Sequence, residues 1–226
     1  MSVDMAVDVG GLNLRGPVVA ASGTFGYGTE VPLLERRALG AIVSKGIFLR
    51  PRIGNPPPRI VETPSGMLNA IGLQGPGVEA LIRDYCPQWA AWDFPVLVNI
   101  NGESAGADGL SAVNTFVGMS IDLHTYRPRL AFRTGGLSGP AIRPMAVHLA
   151  HQAARAVRIP VMGVGGIVSA DDALEFLVAG CSAVQVGTAT FADPRAIARV
   201  HDGIAAHLEA RGLSSLAELP RYLPRD

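Results

Sequence analysis

The stretch PVMGVGGIVSADDALEFLVAGCSAVQVGT, residues 160–188, decides the fold class of this chain. It begins as an apolar strand that ends in paired glycines, continues as a helix over 170–179, and returns to a second apolar strand. Ser169 and Asp172 have the spacing of a capping box at the start of the helix, and Gly180 stands where a helix ends. Two apolar strands joined by a helix are typical of a parallel sheet, so the class is α/β.

The same alternation of strand and helix extends over the rest of the chain. Strands are predicted at 17–22, 41–46, 94–101, 109–115, 159–166 and 182–188, and helices at 29–38, 77–91, 143–157, 170–179 and 194–210. Two long loops rich in glycine and proline, 47–76 and 116–142, follow the second and fourth strands and are the expected place for substrate. A single domain over 1–226 is expected, because two would be cramped in this length.

Composition excludes several classes of protein. The chain is 48% hydrophobic and 17% charged, with a mean hydropathy of +0.28, which argues against disorder. Its 19 basic and 19 acidic residues give no net charge and form no basic stripe, so nucleic acid is not expected as a partner. No stretch has the length of a membrane span or the form of an export signal, and we expect a soluble cytoplasmic protein without membrane contact. The two cysteines, Cys86 and Cys181, have no metal-ligand spacing, so no metal site is expected.

One connection is too short for this fold. Only eight residues, NGESAGAD, separate Ile100 from Gly109, whereas a crossover between parallel strands needs a dozen or more and usually a helix. The segment AGADGLSAV resembles the helix exit AGCSAVQV at 179–186, yet no helix precedes it. Six strands also fall short of the eight of a closed barrel. The sequence therefore predicts that an internal segment is missing near residues 104 and 105.

Polar residues and glycines cluster at the ends of the predicted strands, where parallel barrels bind their ligands. The glycine turns at 165–166 and 187–188 suit a phosphate, since backbone N–H groups and a following helix favour anions, although they can equally be tight turns that bind nothing. Lys45, on an otherwise apolar strand, is either a structural ion-pair partner or a cation that faces a ligand or a reduced cofactor. Asn69, Asn99 and Asn114 offer the donors and acceptors that read a cyclic amide edge.

Long motifs give the chain a resemblance to a known family. These motifs are ASGTFGYG (21–28), SKGI (44–47), GNPPPRIVETPSGMLNAIGLQGPG (54–77), PVLVNI (95–100), VNTFVGMSIDL (113–123), GGLSGPAIRP (135–144), PVMGVGGIVSADDALEFLVAG (160–180) and VQVGTATFADP (184–194). They closely resemble dihydroorotate dehydrogenases, and TPSGMLNAIGL resembles the NAD-linked class 1B catalytic subunit. The resemblance covers about 15–200 and implies a TIM (β/α)8-type barrel, here incomplete with about six core strands.

The resemblance also implies a cofactor, a reaction and partners. The family binds FMN over the barrel mouth and oxidises dihydroorotate to orotate in pyrimidine biosynthesis. Residues that match its FMN contacts are Ser22, Lys45, Gly46, Asn99, Val113, Gly139, Gly165, Gly166, Gly187 and Thr188, and those that match its orotate contacts are Lys45, Asn69, Ala70, Ile71, Gly72, Leu73, Asn114 and Thr115. Class 1B catalytic subunits pair as a homodimer core and pass electrons to a subunit with FAD and an iron–sulfur cluster, which gives a heterotetramer.

The departure from the family falls at the short junction. In the family, two further strands lie there, one ending in Asn-Ile-Ser-Cys-Pro-Asn and one in Val-Lys-Leu, and neither string occurs here. The first carries the catalytic cysteine that acts as base, so no catalytic residue is assigned in this chain. The missing piece should be on the order of 60 to 80 residues. Two hypotheses follow: a dihydroorotate dehydrogenase with an internal deletion, or a non-catalytic remnant that binds FMN. Should the chain be fully active, Ser111 or Thr115 near the same rim would be the first replacement bases to test.

Overall fold

The computed structural model describes residues 3–29, 36–100 and 108–222. Its strands, in chain order, are β1 Val7–Val9, β2 Leu12–Leu14, β3 Val18–Ala20, β4 Ala41–Val43, β5 Ile60–Thr63, β6 Gly66–Asn69, β7 Val96–Leu97, β8 Leu110–Ala112, β9 Phe116–Met119, β10 Ile121–Asp122, β11 Arg127–Pro128, β12 Thr134–Ser138, β13 Val161–Val164 and β14 Ala183–Val186. Its helices are α1 Val78–Ala80, a π-helical turn Leu81–Tyr85, α2 Cys86–Trp89, α3 Arg143–Ala156, α4 Ala170–Val178, α5 Ala189–Ala192 and α6 Ala196–Ala210, with 3-10 turns at Arg36–Ala38, Pro140–Ile142 and Leu216–Glu218.

All six predicted strands pair in one parallel sheet, here called the barrel sheet, in the order β7-β4-β3-β14-β13-β8. The prediction of an α/β fold with about six core strands is therefore confirmed. β7 and β8 follow one another along the chain among these six strands, yet they lie at opposite edges of the sheet. Residues 101–107, which join them, lie outside the described residues, as does the expected deletion point at 104 and 105.

Side chains alternate between the two faces of the barrel sheet. Val18, Ile42 and Val184 face outward and pack with the helices in the larger core cluster. Val19 and Met162 face the barrel axis and form a second cluster. The hairpin β1–β2 joins this inner cluster and lies beneath it, a placement that the sequence analysis did not predict. The barrel interior is thus a separate apolar layer, distinct from the layer under the helices.

Most of the predicted helices are confirmed. α4 begins with the predicted capping box, in which Ser169 Oγ accepts from the Asp172 N–H at 3.3 Å and the Asp172 carboxylate accepts from the Ser169 N–H at 2.8 Å. Gly180 follows the helix with φ 112°, which suits the residue after a helix end. The helices predicted at 77–91, 143–157 and 194–210 are also present, the first with its π-helical turn. Only the last turn of the helix predicted at 29–38 is described, because 30–35 lie outside the described residues.

The two segments predicted as long loops carry strands of their own. β5 and β6, from the first segment, pair with β12 and β9, from the second, in an antiparallel sheet of order β5-β6-β12-β9, and β10 pairs with β11. The description as plain loops was incomplete, because RIVET and GMLN flank a tight turn that the glycine and proline content concealed. The segment that follows α6 packs against the larger core cluster, in which Leu216 and Leu219 are buried. Among the described residues, none of the helices has the length and apolar character of a membrane span.

Candidate functional site

A cavity of about 1250 Å³ opens at the carboxyl ends of the barrel strands and extends down into the barrel interior. The antiparallel sheet contributes Met67, Asn69 and Ser138 to its wall. All seventeen residues that match the family's ligand contacts line this one cavity: Ser22, Lys45, Gly46, Asn69, Ala70, Ile71, Gly72, Leu73, Asn99, Val113, Asn114, Thr115, Gly139, Gly165, Gly166, Gly187 and Thr188. The structure therefore brings together every predicted site residue, while the ligand each one binds stays a prediction.

A hydrogen-bond network joins the ends of β3, β4 and β7 on one side of the cavity. Ser22 Oγ donates to the Ser44 carbonyl at 2.9 Å and accepts from Asn99 Nδ2 at 3.1 Å. The Asn99 N–H donates to Ser44 Oγ at 3.2 Å, and Ser44 is fully buried. The Lys45 N–H donates to the Gly26 carbonyl at 3.1 Å, which fixes the backbone where the Lys45 side chain emerges. Three strand ends are held in register here, so their polar side chains have fixed positions at the rim.

Glycines form the opposite side of the rim, here called the glycine edge: Gly139, Gly165, Gly166 and Gly187, with Thr188. Gly166 has φ 78°, and a Cβ there would lie 2.8 Å from Arg143 Cβ and 2.9 Å from the Gly139 carbonyl oxygen. Only glycine therefore allows the β13 and β12 loops to approach this closely. Thr188 Oγ1 donates to Ser138 Oγ at 2.8 Å, which links the β14 loop to the end of β12. Three glycine-containing loops thus converge at the rim, and backbone N–H groups in such loops can bind an anion such as phosphate.

An ion pair ties together the two helices that follow the glycine edge. The Arg143 guanidinium, in the first turn of α3, pairs with Asp172, in the first turn of α4. Asp172 is 3% exposed and also accepts hydrogen bonds from the Val168 and Ser169 N–H groups at 2.9 and 2.8 Å. Glu175 lies 3.5 Å from Arg143 Nε. The carboxylate therefore fixes the loop after Gly166 as well as the spacing of the two helices.

The predicted orotate residues lie on two sides of the cavity: Asn69 and the 70–73 segment at the antiparallel sheet, and Lys45, Asn114 and Thr115 after strands of the barrel sheet. Asn69 Nδ2 donates to the Gly136 carbonyl at 3.4 Å, so β6 and β12 hold this side chain between them. Asn55 fixes the 70–73 segment through two hydrogen bonds. Its Nδ2 donates to the Ala70 carbonyl oxygen at 3.0 Å, and its backbone N–H donates to the Ile71 carbonyl oxygen at 3.0 Å. On the far side, the Asn114 Oδ1 accepts from the Thr115 N–H at 2.7 Å, and Asn114 is exposed.

The described lining of the cavity contains no thiol and little charge. Among the described lining residues only Lys45 and Asp108 carry a charge. Cys181 lies behind the barrel sheet in the larger core, and burial raises the pKa of its thiol to about 12. Cys86 lies on α2, away from the lining. Neither cysteine lines this cavity, so neither is placed to act as a base there.

Sequence reasoning missed three contributors to the cavity. Ser138 and Gln185 are buried polar residues on strands, and no motif distinguished them from core positions. The β1–β2 hairpin was missed, although VDVGGLNL alternates around a glycine pair. The structure also places Ser111 differently from expectation: its side chain accepts a hydrogen bond from Gln185 inside the barrel, below the rim where Thr115 lies.

The fold and the cavity together define an α/β-barrel protein with its ligand site at the carboxyl ends of the strands. A family model described as dihydroorotate dehydrogenase matches residues 4–107 and 96–208. The chain belongs to the dihydroorotate dehydrogenase family, a family of flavin-dependent oxidoreductases.

Individual relatives agree with this assignment. The chain is 39% identical to the dihydroorotate dehydrogenase B (NAD(+)) catalytic subunit of Geotalea uraniireducens, over 96% of this chain and 97% of the relative. It is 35% identical to the protein of the same name from Caldicellulosiruptor bescii, over 96% and 98%. The words "catalytic subunit" imply a separate partner subunit for these relatives. A crystal structure of dihydroorotate dehydrogenase from Eimeria tenella, in complex with ferulenol, superposes with a TM-score of 0.77 at 18% identity over 96% of this chain and 88% of that one, which supports the fold.

The alignment confirms the internal gap. It spans 295 positions with the Geotalea protein, whereas 96% of this 226-residue chain is about 217 residues. About 78 aligned positions therefore hold residues of the relative that have no counterpart here. The two family matches meet at 96–107, the junction between β7 and β8. The spacing argument and the expected size of the missing segment are both consistent with this result.

Proposed function

We propose that this chain binds FMN across the barrel mouth and dihydroorotate beside it, and that its reaction is the oxidation of dihydroorotate to orotate in pyrimidine biosynthesis. The observation that carries the proposal is the convergence of all seventeen matched residues on one cavity. The cavity has a volume of about 1250 Å³, which includes the barrel interior below these residues.

The glycine edge would hold the FMN phosphate. Gly139, Gly166 and Gly187 bring backbone N–H groups to the rim with no side chain in the way. The Ser22 and Asn99 network and Lys45 lie across the cavity and would contact the ring system. When bound, FMN supplies the hydride acceptor.

The end of β6 and the loops after β4 and β8 would hold the substrate. Asn69 and Asn114 supply amide donors and acceptors for a pyrimidine edge, and the 70–73 segment closes one side. Lys45 is the one cation in the described lining, and it suits the carboxylate that dihydroorotate and orotate both carry. These side chains would orient the ring and exclude water from the reacting face.

We expect slow turnover, because oxidation of dihydroorotate removes both a hydride and a ring proton. The proton needs a base, and neither cysteine of the chain lies at the cavity. A missing base typically lowers the rate by about 10² to 10⁴. We expect at least about a 10²-fold lower rate than in an intact relative such as the Geotalea protein. Equal rates in a dye-reduction assay would contradict this expectation, and Thr115→Ala would then test the hydroxyl at the rim.

Electron transfer onward would depend on a second protein. Iron–sulfur clusters are commonly held by four cysteines, and this chain has two, one of which is buried. We infer that a subunit with FAD and an iron–sulfur cluster would accept the electrons and reduce NAD, around a homodimer core of the catalytic chain. Because the missing segment removes surface, we expect weaker assembly. Co-expression followed by size-exclusion chromatography tests this, and a stable stoichiometric complex that reduces NAD would overturn it.

Flavin titration tests the binding half of the proposal. Gly166→Val should weaken FMN binding by at least about tenfold, since the side chain would displace the loop that donates to the phosphate. Gly212→Val is the matched control: Gly212 also has positive φ, 69°, but no atom lies within 4 Å of a Cβ there. Quenching of flavin fluorescence measures both affinities. Absence of FMN binding by the unaltered chain, or equal losses in the two variants, would refute the assignment.

A further inference from the structure

The lower part of the cavity is a hollow inside the barrel, well below the rim residues. Its wall comes from the inward faces of the barrel strands and from the hairpin beneath them. The residues of this interior hollow are Val9, Leu12, Val43, Leu97, Ser111, Met162 and Gln185. Five of the seven are aliphatic or thioether side chains, and Val9, Val43 and Met162 are at most 8% exposed. The wall is therefore largely apolar and well packed from behind.

The hollow exists because the barrel sheet is two strands short. A closed barrel fills its interior with layers of side chains contributed by alternate strands. Here Leu97 on β7 and Ser111 on β8 stand at the two edges of the sheet, and Ser111 is exposed. The tip of the hairpin closes the bottom, since a Cβ on Gly10 would lie 2.5 Å from the Asp108 carbonyl oxygen. Within 3–29, 36–100 and 108–222, no strand covers the side of the hollow between β7 and β8, and the hairpin closes its base.

One buried polar group faces this apolar space. Gln185 is 3% exposed, and its Nε2 donates to Ser111 Oγ at 2.6 Å and lies 3.8 Å from Met162 Sδ. No residue in the described part of the chain donates to its Oε1. Within the same ranges no acceptor receives the Ser111 hydroxyl hydrogen. Gln185 lines the cavity, so its Oε1 is an acceptor that a ligand there could reach, and a ligand that donates to it gains a hydrogen bond.

We propose that the interior hollow binds a small uncharged molecule with an apolar body and one group that both donates and accepts a hydrogen bond. A phenolic hydroxyl or a primary carboxamide meets this requirement. The group would donate to Gln185 Oε1 and accept from Ser111 Oγ, and the apolar body would cover Val43, Leu97 and Met162. The hollow lies in the same cavity, below the rim residues that are expected to contact flavin and substrate.

Titration with phenol and with toluene tests the proposal on the whole chain, by ligand-observed NMR. Phenol should bind with a dissociation constant on the order of millimolar, and toluene more weakly. Gln185→Leu keeps the volume but removes the acceptor, so it should weaken phenol about three- to tenfold and leave toluene unchanged. Leu97→Trp should fill the hollow from the β7 edge of the sheet and abolish both. Asn114→Ala, at the rim, is the control and should change neither.

The outcomes separate this site from the alternatives. No binding of phenol up to its solubility limit, or equal weakening of phenol and toluene by Gln185→Leu, overturns the proposal. So does equal weakening by Asn114→Ala, which would place the probe at the rim. A dimer that dissociates in Leu97→Trp would show that a second copy fills the hollow, and would also overturn it. Should Leu97→Trp fail to fold by circular dichroism, the Gln185→Leu comparison decides alone. Flavin titration of the same samples reports on the rim separately.

Discussion

Replacement of Asp172 by alanine tests how far one carboxylate holds the glycine edge in place. The side chain of Asp172 is 4% exposed, pairs with Arg143 and accepts from the Val168 and Ser169 N–H groups. Removing one partner of a buried ion pair costs about 3–5 kcal/mol, and losing a helix cap costs about 1 kcal/mol more. The Arg143 side chain is 34% exposed, so water recovers part of the first loss. We expect a loss of about 3 kcal/mol in the free energy of unfolding.

Urea denaturation followed by far-UV circular dichroism measures this loss. Asp172→Asn keeps an oxygen that can accept from the backbone while it removes the charge, so it should recover about 1 kcal/mol. Asp171→Ala is the matched control, because Asp171 lies in the same first turn of α4 but is exposed. It removes the same favourable interaction with the helix dipole, about 0.3–1 kcal/mol, and nothing more. Equal losses for the two alanine variants would refute the reasoning, since they would show that the ion pair and the capping box add nothing. FMN affinity should fall in Asp172→Ala alone.

Three further predictions concern groups elsewhere in the chain. Alkylation under native conditions should modify Cys86 well before Cys181, because burial raises the pKa of the Cys181 thiol to about 12; mass spectrometry that finds both thiols modified at equal rates would contradict this. The Arg37 guanidinium lowers the pKa of Asp202 to about 2, so the stability that Asp202 contributes is present above about pH 4 and is lost as pH falls toward 2. Asp202→Asn should therefore lower the free energy of unfolding by at most about 1 kcal/mol, because the pair with Arg37 is exposed. This difference should shrink as the pH falls from about 4 toward 2, and a difference that stays constant over this range would contradict the prediction. We expect that no rim hydroxyl replaces the missing base, so Thr115→Ala should leave the residual kcat for dihydroorotate oxidation, measured at saturating substrate, within about twofold. A tenfold or larger drop in kcat in a dye-reduction assay would contradict this.

The parts of the fold that could be predicted from sequence are those set by local chemistry. Each barrel strand is a short apolar run, and α4 carries its own start and stop signals in Ser169, Asp172 and Gly180. The rim residues could be predicted for a similar reason, since a residue just after a parallel strand must lie at the ligand end of the barrel. The resemblance then supplied the individual contacts.

The parts that could not be predicted depend on distant pairing. β6 pairs with β12 about 70 residues further along the chain, and neither strand has a strong pattern of its own, because TGGLS and GMLN are short and rich in small residues. Ser138 enters the cavity only through that pairing. Gln185 could not be distinguished from a core residue, since its environment is set by Ser111 on the far edge strand and by the absence of the strands that would cover both.

The residues expected to bind ligands and the residue expected to act as the base lie on different strands, because a barrel builds its site from the ends of several strands. The Ser22 and Asn99 network belongs to β3, β4 and β7, and the glycine edge belongs to the loops after β12, β13 and β14. Each set is held by its own neighbours in the sheet, so loss of the strands between β7 and β8 leaves both sets in place. The family resemblance places the catalytic cysteine on one of the strands missing here, and in the described part of the chain no cysteine lines the cavity. The deletion that leaves Leu97 and Ser111 on the edge strands is therefore expected to remove the base, while it spares the residues expected to hold flavin and substrate.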